Sequence, residues 1–283
     1  MRSIWLVLAS VVFSVAVCVV IFNRHESGAS SEPVFERVAK SGTLRCGYNI
    51  VPPFFQKDPN TGEFSGFTYE IMKSIAKTAD LKLEWTAEIG VGDAPTALNT
   101  NKIDAVCVPL LLSPVRAKTM LPVKSEFYTP ISAYARADDK RFDGDLKKIN
   151  QKDIRISAID GDFSYDLATG KFPNAKLAAL PQTAGAGDAM LQVATKKADI
   201  VMMVPEAIAA FNANNKNKLR AVANVPPARI YSEHIFLKAG EYRLQGLLNN
   251  AIDTLVNDGE IEKIIAGYNK KFGGQHKAPE KAF

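Results

Sequence analysis

The chain has 283 residues, 47% of them apolar and 23% charged, with a formal net charge of +5. That is an ordinary globular composition, which excludes a low-complexity chain and allows two domains or one large one. The densest basic groups (Lys147-Lys148, Lys196-Lys197 and Lys270-Lys271) have no interleaved aromatics and are read as solvated faces, so a nucleic-acid partner is not expected.

The stretch from Ile4 to Phe22 holds no charged residue, with Arg2 before it and Asn23-Arg24-His25-Glu26 after it. As a helix it spans roughly 28 Å, about one hydrocarbon core, which is longer than a usual signal-peptide core. A retained membrane anchor is expected. Ser27-Gly28-Ala29 also offers small residues to a signal peptidase, so cleavage stays open. Val17 before Cys18 argues against a lipoprotein site. Arg2 favours a cytoplasmic N-terminus, placing the chain from about residue 30 outside the cytoplasm. Residues 1–33 are thus read as signal or anchor plus tether.

Beyond the tether, strand and helix signals alternate. Leu44 to Tyr48 reads as a strand ended by Val51-Pro52-Pro53, and Asn60-Thr61-Gly62 as a turn. Phe67, Ile71, Met72, Ile75, Ala76 and Ala79 recur at helical spacing. A strand over Lys82 to Thr86 and a helix over Ala94 to Asn101 follow. Ile103 to Leu112 is an apolar run of the kind buried in a parallel sheet. Ser113-Pro114 then opens a helix, with Ser as cap and Pro at the first position.

A second series starts after Ala137. Strands are expected at Ile154 to Ile159, Ala175 to Leu180 and Asp199 to Val204, and helices at Ser164 to Thr169, Asp188 to Lys196 and Glu206 to Asn212. Two apolar stripes, from Leu244 to Leu255 and from Ile261 onward, end the chain as helices separated by Asp258-Gly259. The alternation predicts α/β lobes with mostly parallel sheets.

Cys46 and Cys107 both sit in strand-like runs and read as buried small hydrophobes, although an oxidising compartment also permits a disulfide. His25, His234 and His276 share no ligand spacing with each other or with the cysteines. No metal and no cofactor is expected.

Several segments taken in order resemble the family 3 extracellular solute-binding proteins, whose best-known members deliver amino acids to ABC importers. They are Gly42-Thr43-Leu44-Arg45-Cys46-Gly47-Tyr48 with Pro52-Pro53-Phe54, then Gly62-Glu63-Phe64-Ser65-Gly66-Phe67. Lys102-Ile103-Asp104-Ala105-Val106 and Ser113-Pro114-Val115-Arg116-Ala117-Lys118 follow. Lys197-Ala198-Asp199-Ile200-Val201 and Asn257-Asp258-Gly259-Glu260-Ile261 complete the series. The resemblance implies a type II periplasmic binding protein fold, two α/β lobes joined by a two-segment hinge, here with an N-terminal apolar helix. One lobe combines residues 34–134 with 233–283, and the other is 135–232. The hinge segments fall near Ser132–Arg136 and Pro226–His234.

The resemblance also implies that Arg116 clamps a ligand carboxylate, a role suited to the planar guanidinium fork. The site departs from the amino-acid-binding pattern elsewhere. Val108, Leu110 and Leu111 stand where hydroxyls are usual, and Val204 falls where an aspartate usually meets the ligand's ammonium. Asp162 and Glu206 are the acids that compensate, each also placed to favour a helix start. Tyr48 and Phe163, with Phe54, offer an aromatic wall whose alternative role is core packing. The expected ligand is a small carboxylate with an apolar body, and the expected partner an ABC transporter permease, with the protein itself monomeric. Other readings are a dehydratase on the same fold, with Glu206 or Asp162 as general acid, and a tethered sensory domain.

Overall fold

The computed structural model describes residues 33–282. The expected apolar helix over Ile4–Phe22 lies outside them. Among the described residues no helix is long and apolar enough to cross a membrane.

The chain divides into a unit ending at Ser41 and a unit from Gly42 onward. The described part of the first is helix α1 (Val34–Ser41), with Glu36 in its first turn and Lys40 in its last, the order that complements the helix dipole.

The second unit opens with β1 (Thr43–Tyr48), a small hairpin of β2 (Gln56–Lys57) and β3 (Phe64–Ser65), α2 (Phe67–Thr78) and β4 (Lys82–Glu88). Gly66 links β3 to α2 with φ at +117°, and a Cβ there would stand 2.1 Å from the Phe54 carbonyl oxygen, so only glycine fits. Next come α3 (Ala94–Asn99), β5 (Ala105–Leu111), α4 (Pro114–Thr119), β6 (Met120–Pro122) and the ten-residue β7 (Phe127–Arg136). The second series is β8 (Arg155–Ile159), α5 (Phe163–Lys171), β9 (Lys176–Leu180), α6 (Ala186–Ala194), β10 (Ile200–Met203), α7 (Pro205–Asn214) and β11 (Leu219–Ala221). The ten-residue β12 (Arg229–Lys238), then α8 (Tyr242–Asn257) and α9 (Glu260–Phe272), complete it.

One mixed sheet runs in the order β4-β1-β5-β12-β7-β10-β8-β9. It is parallel at both ends, where β1 pairs with β4 and β5, and β8 with β9 and β10. The centre is antiparallel, which corrects the expectation of mostly parallel sheets. β12 and β7 run antiparallel to each other, Arg229 opposite Ile131 and Glu233 opposite Phe127, and each also pairs antiparallel with its outer neighbours. The chain makes its two crossings between the halves of the sheet here, and both are strands. Pro130 inside β7 obscured that strand in the sequence, because proline in an apolar run argues against a sheet interior.

The same ion-pair device recurs on each parallel stretch. Asp104 precedes β5 and is fully buried; it accepts from the Arg45 amide at 2.6 Å and from its guanidinium at 2.8 Å, on neighbouring β1. Asp199 precedes β10 and accepts from the Arg155 amide at 3.0 Å and side chain at 3.1 Å, on neighbouring β8. Burial pushes the Asp199 carboxyl up, but hydrogen bonds from Arg155 and Arg141 prevail and hold it below its ordinary range. The Ile-Asp-Ala and Ala-Asp-Ile motifs are therefore structural: each ties a strand entry to its neighbour.

Cys46 and Cys107 form a disulfide with Cα atoms 5.3 Å apart, which corrects the reading of two unlinked buried thiols. The register places Cys46 beside Ala105, and Cys107 follows on the same face of β5. The crossover through α2, β4 and α3 brings together residues that are 61 apart in sequence.

Candidate functional site

The carboxyl ends of β5, β8, β9 and β10 converge on a cavity of about 690 Å³, the location favoured for ligands in α/β sheets. One wall is Gly92, Pro95, Val115, Arg116, Thr119 and Met120. The other is Ile159 to Ser164, with Gln182, Ala184, Ala186, Ala189 and Met203.

The fully apolar β5 delivers the chain to the first wall, and Ser113 caps the short helix that carries Arg116. The Ser113 hydroxyl accepts from the Arg116 amide at 3.3 Å, with Pro114 at the first helical position. The half-buried Arg116 turns back and donates from Nη1 to the Leu111 carbonyl at 2.5 Å. Among the described residues no carboxylate pairs with it, so its other N–H donors remain open at the cavity. Burial pulls its pKa down while the fields of Glu233, Asp162 and Asp166 pull it up. Guanidinium stays charged regardless.

On the second wall Asp162 caps α5, accepting from the Ser164 amide at 2.9 Å, and the Ser164 hydroxyl takes the Ile159 amide at 3.1 Å. Gly161 has φ at +74°, and the Gln182 amide nitrogen would lie 2.8 Å from any Cβ there. The side chain of Gln182 thus covers the glycine turn and reaches the cavity. The wall presents an acid and an amide opposite Arg116, between apolar patches from Phe163, Met203 and alanines.

Of the residues singled out in the sequence, Arg116, Asp162 and Phe163 line this cavity. The others lie elsewhere. Tyr48 is buried against Phe64, Phe55 and Trp85, with ring centroids at 4.9, 5.7 and 6.0 Å. Val108 and Leu110 point into the core, and Leu111 contributes only its carbonyl. Val204 caps α7 and packs between two core clusters. Glu206 is 4% exposed and meets His276 Nε2 at 2.5 Å, with the Tyr268 hydroxyl at 3.5 Å. Gln182 and Met203 escaped notice, although Gln182 lies two residues after β9 and Met203 ends β10 on the ligand side of the sheet, a signal that marks both.

A model of the bacterial extracellular solute-binding proteins, family 3, matches residues 44–271. A probable histidine-binding protein of Neisseria gonorrhoeae is 25% identical over 222 residues, covering 78% of this chain and 81% of its own. The L-cystine-binding protein TcyJ of Bacillus subtilis is 24% identical over 208 residues, covering 72% and 75%. Among solved structures, the ancestral amino acid-binding protein AncCDT-1, described as a precursor of cyclohexadienyl dehydratase, superposes with a TM-score of 0.66 at 21% identity, covering 85% of this chain and 99% of that one. The substrate-binding protein AbpA of Streptococcus pneumoniae, bound to L-arginine, gives 0.64 at 19% identity, covering 83% and 98%. The mixed α/β fold is shared with these proteins.

Proposed function

The chain belongs to the bacterial extracellular solute-binding proteins of family 3, and we propose that it captures a small carboxylate-bearing solute between two lobes for an ABC-type importer. The observation that carries this reading is Arg116: a half-buried guanidinium lining the cavity wall, with one N–H engaged by Leu111 and no acid paired with it among the described residues. A carboxylate placed there gains a charge-assisted, two-pronged contact in a partly desolvated setting. Val115, Met120, Phe163 and Met203 suit an apolar ligand body, and Asp162 opposite suits an ammonium or other cationic group. An amino acid with an apolar or long side chain meets all three demands, in keeping with the histidine-, cystine- and arginine-binding proteins it resembles.

The lobes in this reading are residues 42–134 with 233–283, and residues 135–232. β7 and β12 carry both crossings and act as the hinge, and ligand contacts to both walls favour closure. Residues 1–33 export or anchor the chain so that it works outside the cytoplasm. The alternative dehydratase reading needs a general acid in the cavity. Glu206 is enclosed by His276 and Tyr268, and Asp162 is engaged as a helix cap.

Mass spectrometry of the small molecule released from protein purified without added ligand, followed by thermal shift against L-arginine, L-histidine, L-cystine, dicarboxylates and aromatic acids, tests the proposal. A carboxylate that stabilises the protein supports it. Absence of stabilisation by any carboxylate overturns it, and product formed from prephenate or arogenate replaces it with an enzyme.

A further inference from the structure

Behind the cavity a chain of buried polar groups joins parts of the molecule that the two-lobe reading assigns to different lobes. After α9, Gly273 turns the chain in the left-handed region, with φ at +71°, and Asn269 grips the returning segment. Its Nδ2 donates to the His276 carbonyl at 2.8 Å, and its Oδ1 accepts from the His276 amide at 3.1 Å. Lys277 then pairs with Tyr128 of β7 through two backbone bonds, at 2.7 and 3.1 Å. The backbone on both sides of the imidazole is therefore fixed to the first lobe.

The ring is 0% exposed at its side chain and reaches two ways. Nδ1 meets the Thr129 hydroxyl at 3.1 Å, and that hydroxyl is 2.9 Å from Oε1 of Glu233. Nε2 meets Oε1 of Glu206 at 2.5 Å, with the Glu206 side chain only 2% exposed. Glu206 stands in the first turn of α7, three residues after Met203 of the cavity wall. Its second oxygen is buried without a partner among the described residues, so the carboxyl depends on His276 and Tyr268 for its polar contacts.

We propose that His276 is an interlobe clasp: the C-terminal strap, fixed to α9 and β7, holds the start of α7 through Glu206 and so sets how far the cavity walls stand apart. The proposal rests on the two-lobe reading above. If the walls separate, the Glu206 carboxyl gives up the imidazole at 2.5 Å and the Tyr268 hydroxyl at 3.5 Å, and breaking a buried, well-fitted polar contact costs free energy. The clasp therefore biases the unliganded protein towards the closed arrangement, and His276 acts as a positioning residue that never touches the solute. The neighbouring rings of Phe67 and Phe127, with centroids 5.5 and 5.6 Å from the imidazole, exclude water from the contact.

Spin labels at Lys77→Cys and Lys147→Cys, one on each lobe, read the interlobe distance without any ligand. With His276→Ala or Glu206→Gln the distance distribution shifts to longer values at unchanged far-ultraviolet circular dichroism, and the double variant shifts no further than either single one. Distributions in both single variants identical to the parent overturn the clasp; if His276→Ala fails to fold, the isosteric Glu206→Gln decides alone. The parent protein with L-arginine, L-histidine and L-cystine separates the two readings. Shortening on binding, with no variant effect, removes the clasp and leaves the two-lobe binder standing. A single unchanging distance in every sample removes both.

Discussion

Arg116 donates to the carbonyl oxygen of Leu111, five residues before it, at 2.5 Å. The bond folds the guanidinium back over the carboxyl end of β5, where Leu111 lies opposite Glu233 of β12. One prong is fixed by the backbone, so a ligand carboxylate meets a pre-positioned fork, with less side-chain freedom left to lose on binding.

Glu233 makes stability depend on pH. Burial is the main cause that pushes its pKa from an ordinary value of 4.5 to about 8, against the opposing effects of Thr129 and Arg116. The folded state therefore holds a proton that the unfolded chain has released. The contribution is fully present below pH 4.5 and is lost as the pH rises to about 8, at a slope of up to about 1.4 kcal/mol per pH unit. Glu126, buried with neither oxygen partnered among the described residues, is shifted in the same direction by burial and by Glu233. Urea midpoints between pH 5 and 8 should fall in the parent, and fall less steeply in Glu233→Gln; equal slopes in both remove this account.

The disulfide is expected to be a main support of the sheet end formed by β4, β1 and β5. It closes a loop of 61 residues, and by chain entropy that contributes about 4 kcal/mol. Thermal melts with and without reductant, alongside Cys46→Ala/Cys107→Ala, should show a lower midpoint in both the reduced and substituted proteins. A midpoint that reductant and substitution leave unchanged contradicts the expectation.

Asp104 and Asp199 should behave alike. Replacing either by Asn keeps an acceptor for the strand amide but removes the carboxylate charge that faces a partly exposed guanidinium, for a loss of about 2 kcal/mol each. The two sites lie on opposite stretches of the sheet, so the losses should add in the double variant, as read from denaturant midpoints. A double variant no less stable than either single one contradicts the paired assignment.

Much of the fold was legible because each element has a local cause. The stripe from Phe67 to Ala79 forms α2, and Ser113-Pro114 caps α4 as read. Legibility failed where distant segments decide. β7 and β12 are strands because each is buried against the other, which neither Pro130 nor the polar Arg229-Ile230-Tyr231-Ser232-Glu233 run reveals. In the site, Arg116, Asp162 and Phe163 follow strand ends, so position alone places them at the cavity. Glu206 occupies the equivalent position after β10, yet its side chain turns inward, because His276, 70 residues later, supplies a partner there. Cys46 and Cys107 likewise look like two ordinary core residues until the register of β1 and β5 is known.

Calorimetric titration of the parent, Arg116→Lys and Arg116→Ala with whichever carboxylate most stabilises the parent tests the central claim directly. A two-pronged clamp predicts that the Ala variant loses about 100-fold or more in affinity, and that Lys, with a point charge but no fork, recovers only part of it. Equal affinity in all three proteins contradicts the claim.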